Sequence, residues 1–313
     1  MYSIDKMPSK KNRNKNKNKT KKILTKLAKV TCQPSNDGNT IIRGSCFTKE
    51  TLELLKSEYN MNNPNNRIMS DKPRTVWKLL KNRLRTCTKE DCLLSVIPDQ
   101  NDRDKLEKYL FVPRPLYPSK WRQDENAWLN NFDIDRVLKE YEVSYPAFKA
   151  MPTASIDFDE VCIIEDLCNF NLNEMKESGK SKMGVVFNLA KYSENGTHWV
   201  SLYVDLDDKL IFYFDSNGHE KPKEITKLIN TIMNDYSKLY HPHHLTYHDT
   251  SHIQHQYGNT ECGMYALFFI ITMLTNKVNN VPINELEDKL NIFKGKRLPD
   301  DYVSKFRKTY FKI

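Results

Sequence analysis

Thirteen residues from Cys262 to Leu274, Cys-Gly-Met-Tyr-Ala-Leu-Phe-Phe-Ile-Ile-Thr-Met-Leu, are apolar almost without interruption. A stretch that is apolar on every helical face reads as a helix buried on all sides. It is too short to cross a bilayer, so the rest of the chain must enclose it. A polar segment, Gln256-Tyr-Gly-Asn-Thr-Glu261, leads into it, with Gly258 and Asn259 as turn residues and Asn259 or Thr260 as the expected cap. Cys262 then falls in the first turn, where the helix dipole and free N–H groups favour the thiolate. A free cysteine is also a common core residue, so position alone does not separate nucleophile from core filler.

Two upstream stretches supply what a nucleophile would need. Gly184 to Asp205 reads as a strand, an Asn195-Gly196 turn and a second strand that His198 opens. Lys209-Leu-Ile-Phe-Tyr-Phe-Asp215-Ser-Asn-Gly218 reads as a strand ending on an acid and a turn. The order along the chain is His198, Asp215, Gln256, Cys262. A thiol needs a base to take its proton, the base needs an acid to fix its tautomer, and a tetrahedral intermediate needs a donor for its oxyanion.

His198-Trp199, Asp215-Ser216 and Gln256-x5-Cys262-Gly263 together resemble the SUMO-protease and adenovirus-protease superfamily of cysteine peptidases, over roughly residues 120–275. The resemblance implies an α+β, papain-like or adenain-like fold with a central mixed sheet flanked by helices. It implies His198 as base, Asp215 as its orienting acid and Cys262 as nucleophile, with Gln256 and the Cys262 N–H forming the oxyanion hole. Trp128-Leu-Asn-Asn131 resembles the family's substrate-side segment, where Asn131 stands in place of the usual Asp. By that likeness Trp128 and Trp199 clamp a Gly-Gly tail.

The positive charge lies at one end. Residues 1–30 hold eleven Lys and Arg against Asp5, and the remainder carries 38 basic and 39 acidic residues. Residues 1–45 are expected to be a basic disordered tail, with residues 1–30 a candidate nucleic-acid contact. Residues 46–97 are expected to form a small helical unit, with Thr48 as a cap and a stripe of Val76, Leu79, Leu80 and Leu84. Cys87-x4-Cys92 after a Trp-Lys-Leu-Leu helix resembles the N-terminal extension of proteases from large DNA viruses of the African swine fever virus type. Pro98 and Pro113-Arg-Pro115 mark an expected linker over 98–118, and the catalytic domain is expected over 119–313. Within it, Asp133–Glu142 reads as the first helix, Val161–Ile164 as a short buried strand and Pro222–Leu239 as a helix.

The seven cysteines suggest no paired framework, which points to a reducing compartment: virion or host cytoplasm, with the nucleus as alternative. No signal peptide is expected, and no membrane partner. His241, His243, His244, His248, His252 and His255 crowd together, with a strand over Leu245–Tyr247 placing His244 and His248 on one face, but no carboxylate or cysteine at ligand spacing supports a metal site. The expected chemistry needs no metal or organic cofactor.

The sequence thus points to a thiol protease that cuts after small residues of the Gly-Gly-X type, processing viral structural polyproteins. A deconjugase for SUMO or ubiquitin-like tails is the alternative. A non-enzymatic scaffold that holds nucleic acid through the tail is a second alternative, for which Cys262 would be dispensable.

Overall fold

The computed structural model describes Cys32 and residues 45–87, 89–278 and 281–312. The expected basic tail, apart from Cys32 and Ser45, lies outside the described residues.

Thr48 caps α1 (Lys49–Asn62), its Oγ1 accepting from the Thr51 N–H at 3.2 Å. Pro73 opens α2 (Pro73–Arg83), which buries Val76 and Leu80. These helices share one core with Phe47, Leu52, Leu55, Leu93 and Leu94. The expected linker at 98–118 is corrected here. It contains α3 (Gln100–Leu110), capped by Asp99, and it sends Leu110 and Phe111 into that same core. Phe111 meets Phe47 edge-on at 5.9 Å. Proline punctuates a helix boundary as readily as it marks a linker.

The cysteine expectation is corrected as well. Cys32–Cys46, Cys87–Cys92 and Cys162–Cys168 are paired, and Cys262 is the free cysteine. Spacing along a chain does not reveal connectivity. The inference of a reducing compartment from unpaired cysteines therefore loses its premise.

The larger core, which takes in Val112 and Trp121, includes α4 (Asn131–Ser144), opened by a capping box. Asn130 Oδ1 accepts from the Asp133 N–H at 2.9 Å, and the Asp133 carboxylate accepts from the Asn130 N–H at 3.1 Å. Strands β1 (Phe148–Ala150) and β2 (Ala154–Ser155) both run parallel to β3 (Lys182–Asn188). Three short helices intervene: α5 (Phe158–Val161), α6 (Glu165–Cys168) and α7 (Leu172–Glu177). The strand expected at Val161–Ile164 is absent. Val161 ends α5, Cys162 takes a left-handed φ of 45° and Ile163 is exposed. The bridge to Cys168 and two short helices hold this run, with no sheet neighbour to pair it.

Strand β3 pairs antiparallel with β4 (Trp199–Asp205), and β4 pairs antiparallel with β5 (Leu210–Phe214). Helix α8 (Lys223–Leu239) crosses over to β6 (Thr246–Asp249), parallel to β5. The sheet is mixed, in the order β1-β3-β4-β5-β6 with β2 also on β3. β6 starts later than expected, so His244 lies before it and bonds Ser237 Oγ at 2.9 Å.

Alternation along the strands separates two cores. Val185, Leu202, Ile211 and Tyr213 face Ile225, Ile229 and Ile232 of α8. Val186, Tyr203, Phe212 and Phe214 face α9 (Cys262–Thr275), all fourteen of whose residues are buried. The hairpin of β7 (Lys277–Val278) and β8 (Val281–Pro282) follows. Then α10 (Leu286–Lys294), α11 (Asp300–Ser304) and α12 (Arg307–Tyr310) close over the remaining side of α9, with Phe293, Val303 and Phe306 in the same core.

Phe269 carries much of that enclosure, stacked on Phe214 at 4.8 Å and edge-on to Phe212 and Phe293 at 5.0 Å each. Phe269→Ala is expected to cost about 3–5 kcal/mol, read as a lower urea midpoint. A loss under about 1 kcal/mol, the scale of an ordinary exposed-site change, would mean that the helix is not enclosed as described.

Candidate active site

The loop from β3 to β4 delivers His198, and it is tied at both ends. Asn188 Oδ1 accepts from the Ala190 N–H at 3.0 Å and from the Thr197 N–H at 3.1 Å. The Leu189 N–H donates to the His198 carbonyl at 2.9 Å. A Cβ at Gly196 would lie 2.8 Å from Asn188 Nδ2, so a side chain there would displace the Asn188 amide that ties the loop.

His198 Nε2 lies 2.7 Å from Asp215 Oδ1. Asp215 is fully buried and densely held. Its carboxylate accepts from the Asn217 N–H at 2.8 Å and the His219 N–H at 3.2 Å, while Thr250 Oγ1 bonds both its backbone N–H and its carbonyl at 3.1 Å. His198 also hydrogen-bonds the Cys262 side chain. With Nε2 engaged by Asp215, Nδ1 is the ring nitrogen left for the sulfur. Burial alone would lower the imidazole pKa. The interactions with Asp215 and Cys262 outweigh it and hold the imidazole up at about 9.

Gln256 is positioned from the turn that follows Asp215. The His255 and Gln256 N–H groups both donate to the Ser216 carbonyl at 2.8 Å. Ser216 Oγ donates to Gln256 Oε1 at 2.8 Å, and Gln256 Nε2 donates to the Gly258 carbonyl at 2.8 Å. That network fixes the amide orientation and leaves one Nε2 hydrogen unused. Asp300 holds the next residues: its carboxylate accepts from the Tyr257 N–H at 3.1 Å, the Gly258 N–H at 3.2 Å and Tyr265 Oη at 2.9 Å.

The expected cap of α9 is corrected. Neither Asn259 nor Thr260 caps it; the N-cap is Glu261, and no side chain bonds the first turn. The Glu261 carboxylate instead pairs with Arg307 at 2.9 Å, both side chains 6% exposed. Arg307 also donates to the carbonyls of Ala127 at 3.3 Å and Thr260 at 3.5 Å, and lies 4.6 Å over the Trp121 ring. As the first helical residue, Cys262 has no intrahelical partner for its N–H. That N–H and the spare Gln256 hydrogen are donors suited to a developing oxyanion.

Trp199 Nε1 donates to the Leu129 carbonyl at 3.1 Å, fixing the indole beside α9. A Cβ at Gly263 would come within 3.1 Å of Leu129 Cβ and 3.4 Å of Trp199 Cδ1. Trp128 is 44% exposed. Both indoles line one groove of ≈ 620 Å³, together with Ala154, Phe158, Ile163 and Asn188.

Of the clustered histidines, His255 is fully buried and spans two segments. Its Nδ1 accepts from the Leu298 N–H at 3.0 Å, and its Nε2 donates to the Phe293 carbonyl at 2.9 Å. Burial lowers its pKa, so it is a neutral tie between elements and not a rival base. Among the described residues, no three ligating groups gather where they could hold a metal ion.

Asn188, Thr250, Asp300 and Arg307 were not singled out in the sequence. An amide at a strand end was the one available hint for Asn188. The others act across 35 residues of chain or more, with no local signal.

Residues 189–310 match the Ulp1 protease family, C-terminal catalytic domain. A thiol protease of Acanthamoeba polyphaga mimivirus is 32% identical over 54% of this chain, and the match takes in 54% of that protein's length. A cysteine protease of African swine fever virus is 25% identical over 92% of this chain and 98% of its own. The crystal structure of an African swine fever virus protease superposes with a TM-score of 0.54 at 21% identity, over 90% of this chain and 96% of that one, a likeness of fold. Residues 189–310 thus resemble the catalytic domain of the Ulp1 protease family, and the relatives to which this chain is similar are named thiol or cysteine proteases.

Proposed function

We propose that this peptidase cuts peptide bonds after small residues, of the Gly-Gly-X type, and processes structural polyproteins of a large DNA virus, in the virion or the host cytoplasm. The observation that carries the reading is the pair of indoles on one groove beside Cys262, with Trp199 tethered to Leu129 and packed against Gly263. In this reading the two indoles narrow the groove so that a Cβ on the residues before the scissile bond is excluded.

In the proposed mechanism Cys262 attacks the scissile carbonyl as the thiolate, its proton held by His198. Gln256 Nε2 and the Cys262 N–H take up the oxyanion charge. His198 then protonates the leaving amine, Asp215 keeps the imidazolium in register, and water releases the acyl-enzyme. Deconjugation of a Gly-ending protein tail would use the same groove, and one African swine fever virus relative is named a SUMO-1 cysteine protease.

Cys262→Ala is expected to abolish hydrolysis of a Gly-Gly-X peptide, and His198→Ala nearly so. Gln256→Ala should lose about 10²–10³ in kcat, the scale of one oxyanion donor. Full activity in Cys262→Ala would remove the thiol from the mechanism.

The proton on His198 sets the alkaline limit. Its pKa is raised from 6.5 to about 9, so the imidazolium persists below that value and is lost as pH rises through it. The kcat/KM profile should therefore fall on the alkaline side near pH 9. Asp215→Asn removes the charge that offsets burial, so that limb should move to lower pH. An unmoved limb would assign it to another group.

Specificity is tested with matched peptides. Wild type should cut Gly-Gly-X and hardly touch Ala-Ala-X. Trp128→Ala and Trp199→Ala should bind the Gly peptide more weakly and narrow the gap between the two. Equal cleavage of both peptides by wild type would eliminate the clamp. Cleavage of folded ubiquitin-like fusions in preference to free peptides would favour deconjugation.

A further inference from the structure

The N-terminal unit carries a basic face that the proteolytic reading does not use. From Lys72 to Lys89 there are seven basic residues and no acidic one, whereas residues 90–313 hold 27 basic against 34 acidic. The structure shows how the segment is displayed. Val76 and Leu80 turn into the core from one side of α2. Arg74, Lys78 and Lys81, spaced four and three apart, stack along the opposite side, and Arg85 follows just past the helix end.

Arg74, Lys78 and Arg85 are exposed, as is Lys72, and among the described residues no carboxylate pairs with any of the four. Lys81 lies over the Trp77 ring at 5.0 Å. By contrast, Lys56 is held by Asp71 at 2.5 Å, and Arg83 donates to the Asn66 carbonyl at 2.6 Å. Arg74 and Lys78 are therefore free on one side of α2, while exposed Arg67 lies outside that helix. At a rise of about 1.5 Å per residue, Arg74 to Lys81 spans roughly 10 Å along α2.

We propose that this face of α2 is a docking surface for the phosphate backbone of a nucleic acid, bound without regard to sequence. A straight row of unpaired cations suits a polymer with evenly spaced charges. A membrane surface is disfavoured, because basic helices that lie on lipid also bury an apolar face in it, and the apolar face of α2 is spent on the protein core. The exposed apolar residues of this unit, Leu54, Met61 and Met69, lie outside α2.

The test uses the full chain with R74Q, K78Q and R85Q combined, against a control with K139Q, K223Q and K305Q that removes the same charge from the catalytic part. Affinity for a fluorescent 20-base-pair DNA is measured across a salt series, with thermal melting to verify folding. Three lost phosphate contacts should flatten the plot of log K against log salt by about 2.7, from a slope of about 0.9 per phosphate, and weaken binding about tenfold or more at 100 mM salt. The control should do neither. An unchanged slope in the α2 variant, or an equal change in the control, overturns the proposal. Phosphatidylserine vesicles are the second probe: binding to them that depends on Arg74, Lys78 and Arg85 while DNA binding does not would assign the face to membranes and overturn it too.

Discussion

A helix that is apolar on every face has to be surrounded, and most of the catalytic part follows from that requirement. One side of α9 meets the strand residues Tyr203, Phe212 and Phe214, and the rest is covered by α4 and by the three helices after β8. Burial ends at the first turn. Cys262 is itself 3% exposed, yet its backbone N–H is uncapped and its sulfur meets His198. A rigid, enclosed helix can hold a reacting atom to within the fractions of an ångström that catalysis needs.

A single turn coordinates the groups around that atom. Asp215 orients His198, and the next residue, Ser216, holds Gln256 through its hydroxyl and its carbonyl. The proposed base and the proposed oxyanion donor are thereby positioned by consecutive residues just past β5. Thr250 fixes the turn from the neighbouring strand end. Burying a carboxylate this deeply is unfavourable unless its lone pairs are filled, and Asp215 fills them with two backbone N–H groups and an imidazole.

Much of this was legible in the chain. Strong β propensity around His198 and Asp215, and the unbroken apolar run after Cys262, fixed three elements and the order in which they present side chains. The mixed sheet agrees with what the resemblance implied. Other features were hidden because they depend on distant partners. Glu261 reads locally as an ordinary polar residue before a helix; only Arg307 makes it a buried ion pair instead of a bystander to a cap. Val161–Ile164 has strand-like composition, but a bridge between Cys162 and Cys168 decides its shape. The helix at Gln100–Leu110 is hidden by its boundary prolines, which resemble linker punctuation, while Asp99 caps it from within the same stretch.

The pairing of Glu261 with Arg307 bears on the order in which the protein is made. Forty-six residues separate the two. A ribosome working toward the C-terminus emits His198, Asp215 and Cys262 well before Arg307. Until the arginine arrives, Glu261 has no counter-ion, Trp121 lacks the guanidinium on its ring, and α9 lacks its last covering helix. An acidic side chain beside an oxyanion hole opposes the charge that must develop there. In the proposed mechanism, the groups up to Cys262 are therefore synthesised before the arginine that offsets the Glu261 charge beside them.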